Sequence, residues 1–275
     1  MPYRIVQSKQ NVRLKDLRRA LAHPGQDRHS LAGSNGLALA GIEGPNLLEE
    51  AFRAGLRIPW VFVALGAEHL LNGMTFPAET EVLQVPKEVL DSALSTETPQ
   101  PVAALIEQPS WAWADALTSR TKAAPLIVVL AGLQDPGNLG TILRSAEAFG
   151  ATAILSLPGT VSAWNPKAAR ASAGSIFRLP LLETSVEECF SRLREASVRI
   201  WTTAVHGAEP ADRIDLACPV ALLIGNEGNG VPQALAEMAD GAVTIPCPGP
   251  VESLNAAAAA SVLLYEASRQ RRSAR

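Results

Sequence analysis

Five consecutive apolar residues, Leu126–Leu130, follow Pro125 without a polar interruption. A strand with one wet face alternates apolar and polar side chains, whereas a strand covered on both faces by helices need not. Such a run therefore points to parallel pairing inside an α/β sheet. Similar runs recur at residues 151–157, 199–205, 219–224 and 242–246. Helical patterns fall between them at residues 139–149, 185–196 and 232–238, and a long closing helix is expected over 253–271. Strand and helix alternate, which predicts a mostly parallel sheet.

The chain ahead of this region reads as a smaller α/β domain. Residues 37–41 suggest a strand, 45–54 a helix with proline in its first turn, and 58–64 a second strand. A further strand, helix and strand are expected at 81–85, 86–93 and 102–107. Between Gln108 and Ala124 the periodicity dissolves around Pro109, Trp111, Trp113, Ser119 and Lys122. The expected division is a first domain over 1–108, a linker over 109–124 and a second domain over 125–275. A chain of 275 residues suits two domains.

With 47% hydrophobic and 19% charged residues, the chain has the apolar surface for two cores and is not a disordered polymer. No apolar run approaches the roughly 20 residues that span a bilayer. The N-terminus lacks the apolar stretch of a signal peptide, so a cytoplasmic protein without membrane contact is expected. Cys189, Cys218 and Cys247 stand apart, with neither a C-x-x-C pair nor a histidine at ligand spacing. They read as reduced thiols in or near the core, and no metal is expected.

A net charge of −3 excludes a protein that coats nucleic acid by bulk electrostatics. The charge is polarised, however: residues 1–30 alone carry +5. Within them, residues 11–21 set Val12, Leu14, Leu17 and Leu21 at helical spacing among basic residues. Arg4, Arg13, Lys15, Arg18 and Arg19 are thus candidate RNA contacts, and a merely solvated helix face is the alternative.

Ligands of open parallel sheets sit beyond the carboxyl ends of the strands, which directs attention to three loops. The first, Gln134-Asp135-Pro136-Gly137-Asn138, leaves a buried strand and enters a helix bearing Arg144. It can be read as a turn with Asn138 as helix cap, or as a ligand loop with Arg144 clamping an anion. The second, Gly225-Asn226-Glu227-Gly228-Asn229-Gly230, has glycines that admit close backbone approach. Its G-x-x-G-x-G order, with no Lys-Ser/Thr after it and no acid at the end of the next strand, disfavours a dinucleotide fingerprint and a P-loop. The third runs from Ile245 to Asn255 through three prolines into the alanine run 256–260. It offers Ser253 and Asn255 at a helix start.

Together, residues 135–144, 223–230 and 245–255 resemble the three motifs of the SpoU family of RNA ribose 2'-O-methyltransferases, in the SPOUT superfamily, and the likeness extends over 125–271. The first domain looks like the ribosomal-protein-like α/β/α substrate-binding extension that many members carry. The resemblance implies a deep C-terminal trefoil knot, S-adenosylmethionine as cofactor and a homodimer formed through the C-terminal domain. It assigns Asn138, Arg144, Glu227, Ser253 and Asn255 to catalysis. It assigns Ala204, Ile224, Gly225, Gly230, Ile245 and Leu254 to the cofactor. Arg144 occupies the family's proposed base, yet a guanidinium with a pKa above about 12 is better suited to polarise a group or anchor a phosphate. The all-alanine run 256–260 and the Cys247-Pro248 pair depart from the usual family pattern.

These implications converge on 2'-O-methylation of a ribose in structured RNA, with ribosomal RNA favoured over transfer RNA because of the extra domain. The alternatives are a non-catalytic RNA-binding or ribosome assembly factor on the same fold, and a methyltransferase for a tRNA or a small molecule.

Overall fold

The computed structural model describes residues 4–24, 38–94, 96–118, 123–250 and 253–273. Arg28 of the basic stretch, Leu37 at the start of an expected strand, Ser119 and Lys122 of the expected linker, and Val251 and Glu252 of the third loop lie outside them. In chain order the first part forms β1 (Arg4–Ile5), α1 (Val12–Ala22), β2 (Leu39–Glu43), α2 (Pro45–Arg53), β3 (Trp60–Ala64), β4 (Glu81–Val85), α3 (Lys87–Asp91) and β5 (Val102–Glu107). Then come α4 (Trp113–Leu117), β6 (Leu126–Leu130), α5 (Pro136–Ala148), β7 (Ala153–Ser156), α6 (Pro166–Ala171), β8 (Leu181–Glu183), α7 (Val186–Glu195) and β9 (Arg199–Thr203). The chain ends with β10 (Glu209–Pro210), β11 (Val220–Ile224), α8 (Gln233–Ala236), β12 (Gly241–Thr244) and α9 (Ala256–Ser273).

Two compact units result, one of Met1–Ser110 with Ser162–Phe177, the other of Trp111–Val161 with Arg178–Arg275. The first holds a five-stranded mixed sheet in the order β1-β4-β3-β5-β2, with β5 antiparallel to both its neighbours. Helix α1 seals one face with Leu14, Leu17 and Leu21, all buried. The segment Ser162–Phe177, taken from far down the sequence, packs α6 against β2. It brings the Arg170 guanidinium to 3.9 Å from the buried Glu43 carboxylate, which also accepts hydrogen bonds from the Thr96 hydroxyl and the Gln100 N–H.

The second unit holds a seven-stranded sheet in the order β10-β12-β9-β11-β6-β7-β8, parallel at every pairing. β6 and β11 lie side by side in its centre, and all ten of their residues are buried. The unbroken apolar runs arise from this double covering. Helices α5 and α9 pack side by side and run in the same direction. Their seam pairs Asn138 with Asn255, Ser145 with Ser261 and Phe149 with Tyr265. Ser261 donates to the Ala257 carbonyl at 2.7 Å, so Ser145 is the donor in the 2.7 Å hydroxyl pair that joins the helices. The alanines of 256–260 admit this close approach, with Ala257 and Ala260 buried.

Several helix ends fall away from their expected places for identifiable reasons. Helix α5 begins at Pro136 rather than Leu139, because the Asp135 carboxylate, not Asn138, caps it by accepting the Asn138 N–H at 2.8 Å. Helix α9 begins at Ala256 rather than Ser253, since Asn255 stays outside the helix and accepts the N–H groups of Ala257 and Ala258. The expected linker contains α4, whose Ala116 is fully buried in the second unit's core. Of the cysteines, Cys189 is buried and Cys218 half-buried, whereas Cys247 is exposed, contrary to its reading as a core or near-core thiol. The proline-rich loop 246–250 carries it into solvent.

Candidate active site

The loops leaving β6 and β11 and the turn entering α9 meet at the carboxyl ends of the two central strands. Glu227 is the hub. One of its oxygens accepts the side-chain N–H of Asn138 at 2.9 Å and the backbone N–H of Asp135 at 3.0 Å, and the other accepts the N–H of Gln134 at 3.2 Å. Asn138 in turn accepts at its Oδ1 from Asn255 Nδ2 at 3.0 Å. Both amide orientations follow from the partners. Asn138 must turn its NH2 to an acceptor-only carboxylate, and Asn255 must turn its oxygen to the α9 N–H groups it caps.

Three donors on one carboxylate favour its ionised form. Partial burial pushes the Glu227 carboxyl up. Hydrogen bonds from Asn138 and from backbone N–H groups at Glu227, Asp135 and Gln134 more than offset this, leaving it below the ordinary carboxylate value. A lowered folded-state pKa gives stabilisation that is complete above the unfolded value and disappears as pH falls through the folded one. The stability difference between wild type and Glu227→Gln is therefore expected to hold from neutral pH down to the ordinary carboxylate range and to shrink below it. Thermal melts of the two proteins across acid pH test this, and a difference that grows on acidification contradicts it.

The remaining predicted residues lie on α5, in the second and third loops, and at the ends of β9, β11 and β12. Arg144, two turns along α5, is exposed and makes no hydrogen bond or ion pair among the described residues. Ser253 is exposed in the turn before Asn255 and likewise makes none. Gly225 is buried at the end of β11 beside Ile224. Gly230 and Asn226 exchange both backbone hydrogen bonds, at 2.9 Å each, closing the loop into a tight turn. The Ala204 N–H donates to the Val243 carbonyl at 3.0 Å, and Thr244 donates to the Val205 carbonyl at 3.4 Å, so the ends of β9 and β12 are tied where Ile245 begins its loop. Val205 just beyond the end of β9 and Leu254 in the turn before α9 are left 50% and 39% exposed. Sequence spacing missed Gly132, Thr160 and Asn226. Gly132 and Thr160 lie in loop positions outside the three motifs, and Asn226, inside the second, was passed over beside Glu227; only their proximity in space signals them.

In the first unit, the five predicted basic residues divide. Arg13 lies over the Trp60 ring at 4.1 Å and pairs with Asp16 at 3.3 Å. Arg18 donates to the Ser92 carbonyl at 2.8 Å, and Arg4 pairs with Glu81 at 3.0 Å. Lys15 and Arg19 are exposed, and their side chains make no hydrogen bond or ion pair among the described residues. On α1, Arg13 and Arg18 are thus engaged within the first unit, whereas Lys15 and Arg19 are without a side-chain partner among the described residues. No helix of the described residues is long and apolar enough to cross a membrane. Among them, no group of three or more His, Cys, Asp or Glu could hold a metal ion.

A parallel, doubly covered sheet with an anionic hub and amide side chains at its carboxyl end defines an α/β protein that binds a small ligand at its central strands. Comparison with known proteins narrows this. The model of the SpoU rRNA methylase family matches residues 125–265, and that of the RNA 2'-O ribose methyltransferase substrate-binding domain matches residues 42–112. The chain is 34% identical to an uncharacterized tRNA/rRNA methyltransferase of Mycolicibacterium vanbaalenii, over 92% of this chain and 82% of the relative. It is 31% identical to the 23S rRNA (guanosine(2553)-2'-O)-methyltransferase RlmP of Bacillus subtilis, over 82% and 86%. The crystal structure of an AdoMet-bound rRNA methyltransferase from Sinorhizobium meliloti superposes with a TM-score of 0.80 and 30% identity, covering 97% of this chain and 98% of that one. The chain belongs to the SpoU rRNA methylase family.

Proposed function

We propose that this chain transfers a methyl group from S-adenosylmethionine to a ribose 2'-hydroxyl in ribosomal RNA. The observation that carries the reading is the Glu227–Asn138–Asn255 hydrogen-bond chain at the sheet's carboxyl end, in a protein similar over most of its length to the B. subtilis rRNA 2'-O-methyltransferase. The residues beside it suit the cofactor: Val205, Ile245 and Leu254 offer apolar walls for a purine and a methylene chain, and the loop backbone offers donors and acceptors for their polar edges. When bound, the cofactor supplies the electrophilic methyl group. The chain's own task is to hold the 2'-oxygen in line and ease the loss of its proton. Asn138 and Asn255 each retain an amide N–H to orient a ribose or phosphate oxygen. Arg144, exposed nearby on the same helix, suits a phosphate anchor, and Ser253 a further contact to substrate.

Within this reading, residues 1–108 bind RNA and residues 125–275 carry the chemistry. Helix α9 packs against α5 and β11, and the trefoil knot that the family resemblance implies belongs to this reading. Val262 and Tyr265, exposed on α9 at 43% and 50%, support a homodimer through the C-terminal domain. Action on ribosomal RNA fits a cytoplasmic location.

The test is transfer of labelled methyl from S-adenosylmethionine to total RNA, followed by mapping of the modified ribose. Transfer to ribosomal RNA is expected. Cofactor binding with no transfer to any RNA contradicts the proposal and favours an assembly factor. In equilibrium RNA-binding titrations across salt concentrations, Lys15→Ala/Arg19→Ala weakens binding and lowers the salt slope by about two, one for each phosphate no longer neutralised. Arg13→Ala mainly costs stability, because its guanidinium is stacked and paired. Equal slopes in wild type and the Lys15/Arg19 variant contradict their role.

A further inference from the structure

We propose that Thr160, on the loop after β7 and outside all three motif loops, is a positioning residue for methyl transfer. Its hydroxyl presets the Gly132 peptide from which residues 134–138 are aimed at Glu227. This rests on the reading of this strand end as the methyl-transfer site. The Thr160 Oγ1 accepts the Gly132 N–H at 3.1 Å and donates to the Leu130 carbonyl at 3.1 Å. One half-buried hydroxyl therefore spans the last residue of β6 and the second residue beyond it.

Gly132 is where the chain turns out of the sheet. Its φ of +73° lies in the left-handed region that glycine adopts without strain. Side chains hold its peptide groups: from two other loops, Thr160 takes the N–H and Asn226 Nδ2 donates to the carbonyl at 3.0 Å, and Gln134 Nε2 of its own loop donates to the carbonyl at 3.4 Å. Asn226 is itself fixed, its oxygen accepting the Gly228 N–H at 2.8 Å. Backbone groups reinforce the clamp, with Val161 N–H donating to the Leu133 carbonyl at 2.8 Å and the Gly159 carbonyl accepting from Gln134 Nε2.

The consequence reaches the site through geometry. Two and three residues after Gly132, the N–H groups of Gln134 and Asp135 both point at Glu227, and the same carboxylate orients Asn138. With the hydroxyl gone, the Gly132 N–H is unpaired, and the backbone position best able to rotate ahead of those donors is released. The expected damage is to alignment in the transition state rather than to RNA affinity, since both hydrogen bonds of the Thr160 hydroxyl go to the backbone of β6 and its loop.

The experiment uses the full-length protein with labelled S-adenosylmethionine and an unmethylated 23S rRNA transcript. It compares wild type with Thr160→Val, which keeps the shape and loses the hydroxyl, and Thr160→Ser, which keeps the hydroxyl. Thr160→Val is expected to lower kcat by about ten- to a hundredfold, with the KM for RNA nearly unchanged and the melting temperature lowered by only a few degrees, and Thr160→Ser to recover most of the rate. Thr160→Val with wild-type kcat overturns the positioning role. So does equal impairment of the Val and Ser variants, or a loss confined to KM or to melting temperature. Wild-type protein that transfers nothing to RNA overturns the methyl-transfer reading, and the role of Thr160 with it.

Discussion

Asn138→Ala lowers methyl transfer to RNA by about 10²–10³-fold, the loss typical of one preorganised hydrogen-bonding group at a reacting centre, and leaves a folded protein. The residue lies in the first turn of α5, and the cap of that helix is Asp135, so removing its side chain does not unwind the helix. What disappears is the link between two loops: Glu227 gives up its side-chain donor and Asn255 its acceptor. Both remain near solvent and can be hydrated, so the stability cost is about 1 kcal/mol. Asn138→Asp separates polarity from size. It keeps the volume but sets a second carboxylate 2.9 Å from that of Glu227, replacing a donor by a like charge. Its transfer rate is expected to fall at least as far. Single-turnover rates with saturating cofactor, alongside thermal melts, decide the matter. Near-wild-type rates in either variant would remove Asn138 from the chemistry.

The same asymmetry between local pattern and distant partner explains what the sequence revealed. The central strands were legible because double covering requires unbroken apolar runs, and 126–130 and 220–224 are buried throughout. The two- and three-residue strands β1, β8 and β10 are too short to hold a period. The docking of Ser162–Phe177 onto the first unit has no periodic signature at all. Asn138, Glu227 and Asn255 could be singled out by residue type and loop context, yet their order along one hydrogen-bond chain depends on separations of 89 and 117 residues. The basic residues of the N-terminal stretch illustrate the reverse case. Spacing placed five charges in a common role, while Ser92, Glu81 and Trp60, remote in sequence, engage three of them.

Gly225→Ala is expected to abolish cofactor binding and lower the melting temperature, whereas Gly228→Ala, three residues on in the same loop, is expected to do neither. A methyl group on Gly225 would lie 2.1 Å from the Gly230 carbonyl carbon and 2.2 Å from the Val231 nitrogen. These are backbone atoms, fixed by the paired hydrogen bonds between Asn226 and Gly230, and cannot yield as the tip of a flexible side chain would. The loop must open, which moves Glu227 off Asn138 and the backbone of 225–230 away from the strand end. Overpacking of this kind costs about 1–3 kcal/mol, or about 2–12 °C for a chain of this size at about 2–4 °C per kcal/mol. A methyl group on Gly228 meets nothing closer than the Asn226 side-chain oxygen at 3.4 Å, and Gly228 does not occupy the left-handed region. Its substitution should stay within about 0.5 kcal/mol. Calorimetric titration with S-adenosylhomocysteine and paired melts separate the two. Equal tolerance would mean that the loop is not closed as tightly as the Asn226–Gly230 pairing requires. Equal damage would mean that any added bulk, rather than the backbone clash at Gly225, is what the loop excludes.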